Sequence, residues 1–185
     1  MKRSKIILTT ISGLLITAFV ALVVAKLFFI SYSIVPQNGM YPGIPGGSLV
    51  FSWKRPYKQV SDVQRGDIVL FTRIENRERY SYIWRVVGLP GDKVEVDGET
   101  VSINGQAFKR ERIRQDDDLV IFREVNGAAN YEVAYPVNSD SSDQPKASLT
   151  VPNNELFVLG DNRFDAVDSR YFGAIKFDSI YGRKL

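Results

Sequence analysis

The sequence predicts a mainly β protein in which one N-terminal transmembrane helix leads into a twisted antiparallel β domain. Three observations point there. Residues 6–25 carry no charge and are dominated by Ile, Leu, Val, Ala and Phe. Six short runs beyond residue 47 are β-branched or aromatic and are bounded by Gly, Pro and Asp. Two dipeptides at the ends of such runs, Asp97-Gly98 and Asn104-Gly105, are hairpin-turn signals. At 185 residues the chain has room for one such domain and its anchor, and a hydrophobic fraction of 44% is ordinary for a folded protein.

The apolar run is long enough to cross a bilayer, which takes roughly 20 residues. Lys2, Arg3 and Lys5 precede it and only Lys26 follows closely. The positive-inside rule then sets residues 1–5 in the cytoplasm, 6–30 as the anchor and 31–185 outside the cell membrane. Lys26 is placed to snorkel to the far interface, with Phe28, Phe29 and Tyr32 as interfacial anchors. The alternative is a cleavable signal peptide with small residues at Ala21 and Ala25. The run exceeds the ~7–15 residues usual for such a core, which favours retention.

Beyond the anchor the strand-like runs are 48–53, 67–73, 80–87, 93–96, 100–103 and 156–159. Many short strands separated by turn signals fit one antiparallel β domain. Residues 138–148 (NSDSSDQPKAS) are polar, contain Pro145 and have no apolar period, so they read as an exposed loop or a disordered insertion. No internal repeat is evident.

Composition excludes several chemistries. Without cysteine there is no disulfide framework, thiolate nucleophile or Cys-ligated zinc. Without histidine there is no Ser-His-Asp or Cys-His hydrolase and no His-ligated metal centre. Proton transfer falls to Lys, Asp, Glu or Tyr. The net charge of +3 is spread along the chain, apart from the N-terminus and a mixed stretch at 109–114, and does not point to nucleic acid. Asp116-Asp117-Asp118 reads as a solvated loop. A calcium site is a poor second there, because the EF-hand spacing and its turn glycine are missing. No cofactor or metal is expected.

Four segments carry a more specific signal. They are Val35-Pro-Gln-Asn-Gly-Met-Tyr-Pro42, Arg65-Gly-Asp-Ile-Val-Leu-Phe71, Tyr82-Ile-Trp-Arg-Val-Val-Gly-Leu-Pro-Gly-Asp92 and Gly160-Asp-Asn-Arg-Phe-Asp-Ala-Val-Asp-Ser-Arg170. In order and spacing, behind an N-terminal anchor, they resemble the signature boxes of type I signal peptidases. The closing Ser179-Ile-Tyr-Gly-Arg183 is similar to that family's final strand. The likeness covers nearly the whole chain and thins between about 108 and 150. The short single anchor and small domain are similar to the Gram-positive form.

The resemblance implies the β domain of that family. It also implies a serine nucleophile and a lysine general base that cut after a signal sequence. A serine hydroxyl needs a base within hydrogen-bond reach, and a lysine acts as that base only when burial keeps it neutral. Here Gly39 stands at the nucleophile position and Trp84 at the base position, and an indole offers only an N–H donor. Ala166 stands where the family has the serine that orients the lysine. Gln37 stands at the side-chain oxyanion donor and still offers an amide N–H. Gly43 replaces the usual threonine. Asp161, Asn162, Asp168, Ser169 and Arg170 match the last box, which braces the site, and Gly88, Pro90 and Gly91 match a turn.

Gln37, Asn38, Gly39, Met40, Trp84, Asp161, Asn162, Asp168 and Arg170 are therefore candidates for a peptide groove without its reacting pair. Ser31, Ser33 and Ser48, with Lys26 and Lys54, lie off the motif positions and would have to form any replacement dyad. Trp84 reads as an ordinary core aromatic, or as a ring that fills the volume given up at Gly39 and Ala166. Signal-peptidase-like proteins lacking the pair occur in Gram-positive pilus gene clusters, where they help polymerise pilins alongside a sortase. The resemblance implies such an accessory, a chaperone or scaffold for pilin subunits that takes an extended strand by β-augmentation. Two alternatives are a signal peptidase with an unusual mechanism and a regulator that binds preproteins.

Overall fold

The computed structural model describes residues 2–138 and 144–185, and for residues 2–9 and 25 the backbone alone. Helix α1 (Lys2–Phe29) contains the apolar span Thr10–Phe29 and is followed without a break by strand β1 (Ile30–Ile34). At its 28 residues α1 is about 42 Å long, enough for a hydrocarbon core of about 30 Å. Its described side chains are exposed, as fits a membrane anchor. The Nζ of Lys54 donates to the carbonyl of Leu27 (2.8 Å), meeting one of the free acceptors at the helix end. Phe29 stacks on Trp53 at 5.9 Å.

After β1 come β2 (Leu49–Lys54), β3 (Ile68–Glu75) and β4 (Glu78–Gly88). Then follow β5 (Lys93–Asp97), β6 (Thr100–Ile103) and the two-residue β7 (Gln106–Ala107). A meander of β8 (Lys109–Asp116), β9 (Leu119–Asn126) and β10 (Ala129–Pro136) is next. The chain closes with β11 (Ala147–Thr150), β12 (Glu155–Leu159), the short helix α2 (Ser169–Phe172), β13 (Ile175–Lys176) and β14 (Ile180–Lys184). The strand ladders are antiparallel, in sheets ordered β1-β2-β14-β3-β4-β12-β13, β11-β5-β6-β7 and β10-β9-β8. The six expected strands are present, with ends that match or differ by one or two residues.

Strand β12 shows why two cores lie back to back. Leu156 and Val158 join Val69, Phe71, Trp84 and Val86, whereas Phe157 and Leu159 join Val87, Val94, Val101 and Ile103. Successive side chains of a strand point to opposite faces, so a continuous apolar run serves both. In β1 and β2 the same alternation leaves one face bare. Tyr32 pairs with Phe51, Ile34 with Leu49 and Ile30 with Trp53, and the outward rings and aliphatics form an exposed apolar stripe beginning at the anchor. Phe28, Phe29 and Tyr32, expected as interfacial anchors, are exposed.

Turn chemistry fixes the hairpins. Asn104 and Gly105 both take left-handed backbone (φ 53° and 78°) between β6 and β7, as a two-residue hairpin loop requires. Asn76 and Arg77 do the same between β3 and β4 (φ 51° and 70°) without any glycine, and that turn carries no sequence signal.

The reading of 138–148 as a loop needs correction at one end. Residues 139–143 lie outside the described residues, but Ala147 and Ser148 begin β11, which pairs with β5 from Ala147↔Val96 to Thr150↔Lys93. The free edge of β5 offers backbone partners, and Leu149 packs on the second core, so pairing outweighs the polar composition.

Candidate functional site

Residue 39 sits on a loop that leaves β1 and returns to β2. The amide of Val35 donates to Ser48 (3.0 Å) and that of Gly47 to Val35 (2.7 Å), closing the loop at its base. Met40 and Ile44 are buried and pin its middle in the first core, while the amide of Gly46 donates to Asn38 Oδ1 (2.7 Å). The carbonyl of Gly39 accepts from the amide of Asn162 (3.1 Å), tying the first box to the last.

Opposite lies Trp84, only 6% exposed, on β4. A Cβ built on Gly39 would lie 2.5 Å from the indole Cη2 and 2.7 Å from Cζ3. A Cβ on Gly160 would strike Ala166 and come within 3.0 Å of Cζ3. Gly39, Gly160 and Ala166 therefore form a cradle of small residues for the ring, and the indole occupies the space any side chain at 39 would need. Trp84 points inward, as the volumetric reading expects. Its Nε1–H is buried without an acceptor, an unmade bond that costs about 1–3 kcal/mol.

A groove of about 830 Å³ runs along this wall and is lined by Gln37, Asn38, Gly39, Met40, Trp84 and Ala166 among others. Sequence reasoning missed other residues of its lining, Tyr80, Ser81 and Tyr82 on β4 together with Glu75 and Asp165. Strand β4 meets β12 only through Arg85, Val86 and Gly88, so its edge from 78 to 84 has no strand on that side among the described residues. The backbone there is free to pair with an extended peptide.

Among the described residues the lining includes no lysine. Tyr82 donates to Glu75 Oε1 (2.7 Å), and burial, with that carboxylate, pushes its hydroxyl up to about 12. Ser81 is exposed and has no hydrogen-bonded base among the described residues. Ser31, Ser33, Ser48, Lys26 and Lys54 are not on the lining, and Lys54 is engaged at the end of α1.

Asp161, Asn162, Asp168 and Arg170, expected among the groove residues, lie behind its lining instead. Buried charges need partners, and these are held by theirs. Asp161 accepts from Arg85 Nε (2.7 Å) and Nη2 (2.6 Å), and the Arg85 guanidinium also lies 4.2 Å from the centre of the Tyr131 ring. Burial pushes the Asp161 carboxyl above the ordinary carboxylate range, with Arg85 pulling against it. Asp168 caps α2 through the amide of Arg170 (3.1 Å), accepts from the amide of Gly160 (3.0 Å) and is clasped by the Arg170 guanidinium at 2.8 Å. Ser169 Oγ accepts from the amide of Val158 (3.0 Å).

Arg163, also overlooked, makes a bidentate pair with Glu124 and donates to the Tyr135 hydroxyl (2.9 Å), joining the β8–β10 meander to the last box. The amide of Ala134 donates to Asp161 and that of Arg163 to Ala134, reinforcing the same seam. The arginine is visible in the motif, but its partner 39 residues away is not.

Comparisons with known proteins identify the family. The family described as "Signal peptidase, peptidase S26" matches residues 7–185. A signal peptidase IB of Staphylococcus aureus is 30% identical over 167 residues, covering 90% of this chain and 81% of that one. A signal peptidase I of Bacillus caldolyticus is 29% identical over 158 residues, 85% of this chain and 79% of that one. The crystal structure of a signal peptidase I from Enterococcus faecalis V583 is 31% identical, covers 65% of this chain and 95% of its own, and superposes with a TM-score of 0.40. With the match running from the anchor to the last residue, this chain belongs to the signal peptidase family, peptidase S26.

Proposed function

We propose that this protein is a membrane-anchored member of the family that holds extended polypeptide without cutting it. One observation carries the reading: the Trp84 indole lies against Gly39 where a reacting side chain would stand. Neither residue supplies a nucleophile or a base. The groove and the open edge of β4 remain available for a bound strand. With its N-terminus in the cytoplasm, the anchor would place this groove at the outer membrane face.

The likeness to Gram-positive signal-peptidase-like proteins without the catalytic pair extends the proposal to an accessory role in pilus assembly. The protein would act there as a chaperone or scaffold for pilin subunits beside a sortase. Affinity capture of the tagged full-length protein from its own membranes tests this: co-purified pilin and sortase support the role. A varied set of preproteins would instead identify a preprotein-binding regulator and contradict the pilus assignment.

A second reading has its own support, because the relatives named above are signal peptidases that match this chain over most of their length. On that reading cleavage would proceed by an unusual mechanism, with a nucleophile outside the expected boxes.

A further inference from the structure

The groove beside Gly39 and Trp84 is lined by rings and by charge of one sign. Tyr80, Tyr82, Phe164 and Tyr171 lie on its walls together with the acids Glu75 and Asp165, and among the described residues no lysine or arginine lines it. The two acids differ in what they touch. Glu75 Oε1 accepts from Arg73 Nη1 (2.7 Å) and from the Tyr82 hydroxyl (2.7 Å), so its charge is met. Asp165 is exposed, and its carboxylate has no hydrogen bond or ion pair among the described residues. It belongs to the Trp84 end of the groove, because its carbonyl lies 3.1 Å from the point a Cβ on Gly39 would occupy.

Two observations independent of Asp165 favour a cation as the occupant. Glu75 and Glu78 stand directly opposite each other in the β3–β4 ladder, an arrangement in which like charges repel. Arg73 offsets one of them, while Glu78 accepts from the Tyr80 hydroxyl (2.8 Å), a neutral donor. The aromatic side chains here also already hold one cation. The Arg73 guanidinium lies 3.7 Å from the centre of the Phe172 ring and 5.9 Å from that of Tyr82, and ring faces attract such groups. An acidic strand laid along the open edge of β4 would meet these carboxylates with no basic partner on the lining.

We propose that the groove selects an extended segment carrying a basic side chain, with Asp165 as the acceptor beside Trp84. The inference rests on the reading of the groove as a holder of extended polypeptide. The apolar stem of a lysine or arginine packs along the rings while its charged end meets an exposed carboxylate in water. The preference is therefore modest and screened by salt.

The test measures binding of fluorescein-labelled Thr-Val-Thr-Lys-Thr-Val-Thr-amide to the full-length protein in non-ionic micelles by anisotropy. Two control peptides carry norleucine or glutamate in place of the lysine. At low salt the lysine peptide should bind about three-fold more tightly than the norleucine peptide and about ten-fold more tightly than the glutamate peptide. High salt should shrink both differences. Asp165→Asn should bring the lysine and norleucine peptides close to parity, and Asp165→Lys should reverse the order of lysine and glutamate. Equal affinities for the three peptides, or a lysine preference unchanged in Asp165→Asn, would overturn the inference and leave the holding groove intact. No binding by any of the three would overturn the holding reading itself, and the inference with it.

Discussion

The wall around Gly39 and the frame behind it are built on opposite principles. At the wall, contact is made by a large ring against small residues, with no charge and one indole N–H left unmet. In the frame, Arg85–Asp161, Arg163–Glu124 and Arg170–Asp168 pack guanidinium on carboxylate with little exposure. Packing can be exchanged for other packing of like volume, whereas a buried charge cannot lose its partner cheaply. The resemblance places the reacting groups of the family at the wall and its bracing groups in the frame. On the proposed reading, side chains have been exchanged at a few positions of the wall while the architecture around them persists.

The largest effect should come from breaking the frame. Glu124→Ala leaves Arg163 charged at 3% side-chain exposure. The expected loss is about 3–5 kcal/mol, read from urea unfolding in micelles followed by tryptophan fluorescence. A loss below about 1 kcal/mol would mean that the frame does not stabilise the domain as described.

Next comes the wall itself. Trp84→Ala should cost about 3 kcal/mol and Gly39→Ala about 1–3 kcal/mol, the latter because its new Cβ meets the ring. With the ring gone, Gly39→Ala should become nearly neutral, so the double variant should cost less than the sum by about 0.5–3 kcal/mol. Strict additivity would show that the two residues do not share one space.

A pH profile sharpens the comparison at a half-way case. Burial alone raises the Asp92 carboxyl, but hydrogen bonds from Arg65, the amide of Leu89 and Asn104 outweigh it and hold the pKa below the ordinary value. A carboxylate depressed in the folded state stabilises it above the unfolded pKa of about 4, and the benefit fades as pH falls through the folded value. Asp92→Asn should lower stability at neutral pH and flatten the acid limb of the profile. An unchanged acid limb would remove Asp92 from the account.

The smallest effect belongs to the surface. Arg114 and Glu132 pair at 2.8 Å with both side chains more than a third exposed. Glu132→Gln should therefore change stability by less than about 1 kcal/mol in the same unfolding assay.

The anchor, six strands and the Asn104-Gly105 turn were legible because apolar length, alternation and turn residues are local signals. The motifs also brought Gly39, Trp84 and Ala166 to one place. Strand β8 was not legible, since its sequence KRERIRQD has no apolar face. Guanidinium does the covering instead: Arg110 lies 4.3 Å from the Phe122 ring centre and 4.8 Å from that of Tyr135. The withdrawal of Asp161 and Arg170 behind the groove lining was equally hidden. Asp161 meets a partner 76 residues away, and local pattern cannot show such a pairing.

The central claim is that the Gly39–Trp84 wall binds without cutting, and cleavage of a preprotein by the purified full-length protein in micelles tests it most directly. The variant Gly39→Ser, Trp84→Lys, Ala166→Ser is run beside it. The account predicts no product from the natural protein and measurable product from the variant. Site-specific cleavage by the natural protein would contradict it.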